Sequence, residues 1–175
     1  LNAACCRSKK EVNEITYKTC QSIYDVFYDE RYFETAAEWS VVKYQGRKLA
    51  VTICADIWNL GNNPLYVNCP MDMLIQQAPD VMLNLSASPF DYTHDEDRRA
   101  AVKLNVLKYK IPMFYCNGVG SQTEIVFDGN SLVFDKNANL CGTLASFKED
   151  LQGFVLNDDG TVEGDIVTLA DDLPD

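Results

Sequence analysis

Leu49, Ala50, Val51 and Ile53 make a short apolar run with β-branched members, and it stops at Cys54. A run this short and without polar alternation predicts a strand buried on both faces of a sheet. Residues 81–85 (Val-Met-Leu-Asn-Leu) and 111–116 (Ile-Pro-Met-Phe-Tyr-Cys) repeat the pattern. Helical spacing lies between them, over residues 71–78 and again over 95–108. The second helix has an acidic first turn and a stripe of Ala100, Ala101, Leu104 and Leu107 expected to face the core. Strand, helix and strand again, with several hairpins, predict an α/β sandwich rather than a simple doubly wound sheet. The carboxyl end of a buried strand in such a sheet holds a side chain rigidly while leaving it open to a ligand. Cys54 is therefore a candidate nucleophile. The competing reading is one more small core residue, because free cysteine is among the most buried residue types.

The remaining segments supply possible company for that thiol. Residues 1–6 and 11–17 read as strands joined by the polar Arg7-Ser-Lys-Lys10, which predicts a hairpin. Lys18 follows, either directed at whatever the next loop encloses or simply solvated. Residues 19–33 are rich in aromatics (Tyr24, Phe27, Tyr28, Tyr32, Phe33), with Asp25, Asp29, Glu30 and Arg31 among them. A loop of that composition suits the wall of a small-molecule pocket, and equally packing against the sheet. A second hairpin is expected around Gln45-Gly46-Arg47, leading into Cys54. Ser86-Ala-Ser88-Pro-Phe90 ends the strand over 81–85, so its hydroxyls share the Cys54 crevice if the two strands are neighbours. Gly118 and Gly120 permit tight turns beside a ligand or another strand. Asp128-Gly129-Asn130 predicts a hairpin between 125–127 and 131–134. The acidic stretch over 148–175 reads as the exit from a domain or a linker.

Composition narrows the setting. The chain has 175 residues, 47% hydrophobic and 23% charged, which suits one domain with a substantial core. A net charge of -11 argues against nucleic acid or an anionic membrane as partner, because their phosphates are repelled. No apolar run approaches the roughly 18 residues that span a bilayer. The seven cysteines form no Cys-x-x-Cys pair and lie mostly in apolar runs. They suggest neither a disulfide framework nor a metal site, and a reducing, cytoplasmic setting is expected. The opening Leu1-Asn-Ala-Ala-Cys-Cys6 lacks an initiator Met and already looks like strand, which sets the expectation of a partial domain without its N-terminal part.

Taken together, Lys18 with Tyr24-Asp-Val-Phe27 and Arg31-Tyr-Phe33, Ile53-Cys54-x-Asp56-Ile-Trp58, Asn84-Leu-Ser-Ala-Ser-Pro-Phe90 and Val126-Phe-Asp-Gly129 resemble the glutamine-amidase domain of glutamine-dependent NAD synthetases. That domain is a member of the nitrilase (carbon-nitrogen hydrolase) superfamily. The likeness runs over residues 1–151, with an acidic C-terminal segment or linker over 152–175. It implies a nitrilase-like α-β-β-α sandwich and a Glu-Lys-Cys set that hydrolyses the side-chain amide of glutamine. The ammonia released then serves an ATP- and Mg-dependent synthetase domain, which amidates nicotinic acid adenine dinucleotide to NAD. By motif position Cys54 is the nucleophile, Lys18 the catalytic lysine, and Asp29, with Glu30 adjacent, stands for a supporting glutamate. Tyr24, Phe27 and Ser88 match positions that contact substrate, with Ser86 beside them.

The resemblance places the catalytic Glu upstream of Leu1 and the synthetase part outside this chain. It implies no cofactor or metal in this domain, and a homo-oligomer. The chain departs from the pattern at Ala55, where the family carries Glu after the nucleophile, and at His94, where it carries Lys or Arg. Gln21-Ser22 stands for Leu-Pro, and Gly118-Val-Gly-Ser121 for Gln-x-Gly-Gly. A near-neutral His holds a carboxylate less firmly than Arg does. Three other readings stay open: a catalytically impaired interaction module, a stand-alone amidase with another amide substrate, and a Cys54-His94 thiol hydrolase.

Overall fold

The structure, a computed structural model, describes residues 1–22, 29–60, 66–92 and 94–165. Strands β1 (Ala3–Ser8) and β2 (Glu11–Tyr17) pair antiparallel. Lys9 and Lys10 form the turn, both in the left-handed region (φ 52° and 67°), whose twist suits a two-residue hairpin. The next hairpin joins β3 (Val42–Tyr44) to β4 (Arg47–Ile53) through Gln45 and Gly46, also left-handed at φ 47° and 82°. Helix α1 (Pro70–Leu74) continues as a single 3-10 turn and ends at Ala78 in the left-handed conformation, just before Pro79. There follow β5 (Val81–Ser86), α2 (His94–Tyr109), β6 (Met113–Asn117), β7 (Val119–Gln122), β8 (Ile125–Asp128), β9 (Leu132–Phe134), β10 (Leu140–Thr143), β11 (Gly153–Leu156) and β12 (Val162–Asp165).

The centre is a mixed six-stranded sheet of order β10-β9-β6-β5-β4-β3, in which β4, β5 and β6 run parallel. Its helix-facing side carries Ala50, Met82, Met113 and Tyr115, which pack with Met71 and Leu74 of α1 and Val102, Val106 and Tyr109 of α2 in one core. On the opposite side the β1-β2 hairpin lies over β4 and β5. Ala4, Cys6 and Thr16 meet Leu49, Val51 and Leu83 there around a space of about 220 Å³. The β11-β12 hairpin adds to this second layer. Phe154 sets its ring edge-on to Phe114, in room that a Cβ on Gly142 would take. Gly153–Leu156 and Val162–Asp165 of the acidic terminal stretch are thus paired strands. The seven cysteines are free thiols, and no described helix is long and apolar enough to cross a membrane.

Two expectations are corrected. The core face of α2 is Arg98, Ala101, Val102, Asn105, Val106 and Tyr109, whereas Ala100 is exposed and Leu104 and Leu107 are 47% and 42% exposed. Arg98 and Asn105 can lie inward because each is bonded. Asp128 takes the guanidinium through both oxygens at 3.0 and 2.9 Å, and the Asn105 amide donates to the Ile57 and Ala101 carbonyls. Leu104→Ser and Leu107→Ser should therefore each change unfolding free energy by less than about 0.5 kcal/mol. Val106→Ala should cost about 2 kcal/mol, and urea melts of the three variants check the assignment.

Asp128-Gly129-Asn130 is not a hairpin turn. β8 pairs with β7 through a turn at Thr123 and Glu124, and β9 pairs with β6 and β10. Gly129 and Asn130 do adopt left-handed backbone (φ 68° and 54°). They use it to pass the chain from one sheet to the other, with Asp128 bound to Arg98 and the Asn130 amide to Asp95.

Candidate active site

The β4 strand ends at Ile53, and Cys54 opens a 3-10 turn over Cys54–Ile57 with φ 47°. Left-handed backbone costs a non-glycine residue about 1–2 kcal/mol, so surrounding bonds must hold it. Asp56 provides them from within the turn. Its Oδ2 accepts the Ile53 N–H at 2.9 Å, and its Oδ1 accepts the N–H groups of Thr19 at 3.0 Å and Cys20 at 2.7 Å. The turn closes with Trp58 N–H donating to the Ala55 carbonyl. The thiol that results is half-buried. Burial pushes its pKa up, Lys18 works against that, Asp56 adds to it, and the Ala55 N–H directed at the sulfur favours the thiolate.

Lys18 is not solvated. It is 2% exposed, its N–H donates to the Asn2 carbonyl, and its ammonium donates to Asp29 Oδ2 at 2.5 Å and Ser22 Oγ at 3.2 Å. The hairpin delivers it there, since β2 ends at Tyr17. Asp29 stands in a short 3-10 turn (Asp29–Arg31) and also accepts the Ser22 N–H. The structure thus brings Cys54, Lys18 and Asp29 together. Glu30 is exposed and lines a separate hollow of about 220 Å³ beside Cys20 and Asn68.

Ser86 ends β5 and Ser88 follows it. Because β4 and β5 are parallel neighbours with Ile53 opposite Leu85, Ser86 emerges beside the Cys54 turn. Asn84 ties the two. Its amide donates to Thr52 Oγ1 at 3.0 Å and to the Cys54 carbonyl at 3.5 Å, while its Oδ1 accepts the Ser86 hydroxyl at 2.7 Å. Ser88 is buried, with its N–H held by Asn117 Oδ1 at 2.8 Å. Asn117 in turn donates to the Gly129 carbonyl at 2.8 Å, which also takes a bond from Arg98. Tyr115 buries its hydroxyl near Ser86, Ser88 and Cys54, and burial pushes its pKa up to about 12, with the Ser86 and Ser88 hydroxyls and Arg98 acting against the rise.

Ala55 is 2% exposed and contributes its backbone N–H rather than a side chain to the site. Tyr24, Phe27 and the side chain of His94 lie outside the described residues. Asp56, Asn84 and Asn117 are the supporting residues that sequence reading left without a role. A polar residue inside an apolar strand run, as Asn84 is, was the available sign, because a buried amide needs partners.

No family model matches the chain. It is 32% identical over 154 residues to the glutamine-dependent NAD+ synthetase of Synechocystis, a match covering 86% of this chain and 27% of the relative. The chain thus spans about a quarter of the length of the curated relatives it matches, 27% and 25% for two of them. Among solved structures, the glutamine-dependent NAD+ synthetase of Acinetobacter baumannii, in complex with ADP, superposes with a TM-score of 0.82 at 28% identity. That match covers 99% of this chain and 31% of the other. A carbon-nitrogen hydrolase from Helicobacter pylori shares the fold, with a TM-score of 0.66 at 19% identity, covering 81% of this chain and 50% of that one. In sequence and fold the chain is thus related to part of the glutamine-dependent NAD+ synthetases, and it shares its fold with a carbon-nitrogen hydrolase.

Proposed function

We propose that this chain contributes the nucleophile, Cys54, and the oxyanion-stabilising Lys18 to glutamine amide hydrolysis by the full-length protein. The observation that supports it most is the burial of Lys18 against Asp29 in the electrostatic reach of a thiol held at the end of a central strand. The Cys54 thiolate attacks the amide carbon. The Lys18 ammonium and the Ala55 N–H stabilise the oxyanion that forms, roughly 3–4 kcal/mol for each such donor. The C–N bond breaks, ammonia leaves with the proton first taken from the thiol, and water hydrolyses the thioester to glutamate and free Cys54.

The base for that proton is the Glu that the family resemblance calls for, and it has no counterpart among the described residues. Both oxygens of Asp56 already accept N–H groups, and Asp29 Oδ2 is engaged by Lys18 and Ser22. Asp29 acts by keeping the ammonium in place, and Ser86 and Ser88 line the amide pocket. In the whole protein the ammonia serves ATP- and Mg-dependent amidation of nicotinic acid adenine dinucleotide by a synthetase part, within a homo-oligomer.

Glutamine incubated with the full-length protein should yield glutamate and ammonia in equal amounts. Lys18→Met should lower kcat by about 10²- to 10³-fold. A folded protein that releases neither product would instead favour the impaired interaction module.

A further inference from the structure

We propose that Asp56 is a positioning residue whose carboxylate locks the backbone following Lys18 to the turn carrying Cys54, so that ammonium and thiol keep a fixed relation. This inference rests on the amide-hydrolysis reading above for its catalytic meaning, though not for its geometry. The two chemistry-bearing residues come from segments 36 positions apart in sequence. Lys18 follows a two-stranded hairpin, and Cys54 ends a strand of the central sheet. Asp56 joins them directly. One oxygen holds the two N–H groups immediately after Lys18, and the other holds the N–H immediately before Cys54.

The carboxylate is 2% exposed, so solvent offers these donors no substitute, and an apolar residue there would leave three N–H groups unbonded. Its chemistry is also specific. All three partners are donors, so both oxygens must accept, and an amide at this place would point its NH₂ at a backbone N–H. A longer arm fails differently, because the reach from Asp56 back to Ile53 spans a single tight turn. The charged and titratable groups around the carboxylate are Lys18, Cys20 and Cys54. Beyond Lys18 stands Asp29, its ion-pair partner. The Asp56 oxygens are taken up by the N–H groups of Thr19, Cys20 and Ile53. Its effect passes through the backbone.

A double-mutant cycle separates positioning from general support of the fold. Cys54 in the full-length protein is alkylated with iodoacetamide across a pH series, and the midpoint is read by peptide mass spectrometry in wild type, Lys18→Met, Asp56→Asn and the double variant. Lys18 favours the thiolate, so Lys18→Met should raise the midpoint, by about one pH unit in the wild-type background. With the lock removed by Asp56→Asn, the same replacement should raise it by less than half as much. Equal shifts in the two backgrounds would overturn the proposal. Should Asp56→Asn lose its cooperative melt, Asp56→Glu, which retains the charge but displaces the oxygens, takes its place under the same criterion. In the glutamine assay the folded variant should lose about tenfold or more in kcat, with KM within about threefold. Absence of glutamine hydrolysis in wild type would remove the functional reading, while the alkylation cycle would still decide the lock.

Discussion

Cys54→Ala in the full-length protein should reduce glutamine hydrolysis by about 10⁴-fold or more and leave the fold intact. The loss should be this large because, among the described residues, no neighbouring group is placed to take over the attack. Cys20 is 1% exposed, its thiol points at the Asn68 carbonyl, and burial pushes its pKa far above the ordinary thiol range. The Ser86 hydroxyl is spent on Asn84. The melting temperature should change by only a few degrees, since the thiol is half-buried and alanine fits the same backbone. Labelling by an alkylating glutamine analogue should vanish together with turnover. Retained hydrolysis, or label on a different cysteine, would show that the nucleophile has been misassigned.

The largest loss of stability is expected from Arg98→Met, at about 3–5 kcal/mol in urea unfolding. Arg98 is fully buried, and its removal strands the Asp128 carboxylate, itself 4% exposed, without its bidentate partner. Burial acts against the guanidinium, yet Asp128, together with Tyr115 and Asp95, more than offsets it and keeps the charge on. Arg98→Met combined with Asp128→Leu should regain much of the loss, because two apolar groups need no partner. Additive losses in the double variant would mean that packing, and not the unpaired charge, sets the cost.

Both expectations concern residues whose setting was unequally legible in the sequence. The Cys54 strand, the strands β5 and β6 that run parallel to it, and the hairpins at Lys9-Lys10 and Gln45-Gly46 follow from local cues, namely short β-branched runs and residues that tolerate left-handed backbone. Lys18 was legible by motif but not by burial. Its partner Asp29 lies 11 residues on, beyond a loop whose path no periodicity fixes. The face of α2 is hidden from a reading of polarity alone. Arg98 and Asn105 are inward by virtue of partners on other elements, and Leu104 and Leu107 remain outside. Asp128-Gly129-Asn130 carried the right backbone signal for the wrong connection, since left-handed residues turn a chain between sheets as readily as within one.

The backbone at Cys54 also limits how this position can vary. At φ 47°, β-branched side chains crowd the backbone, so Thr or Val would disturb the turn as well as remove the sulfur. Only small unbranched replacements separate chemistry from conformation here. Saturation mutagenesis at this site would therefore report two properties at once: tolerance for the left-handed turn in protein yield, and need for a thiol in turnover.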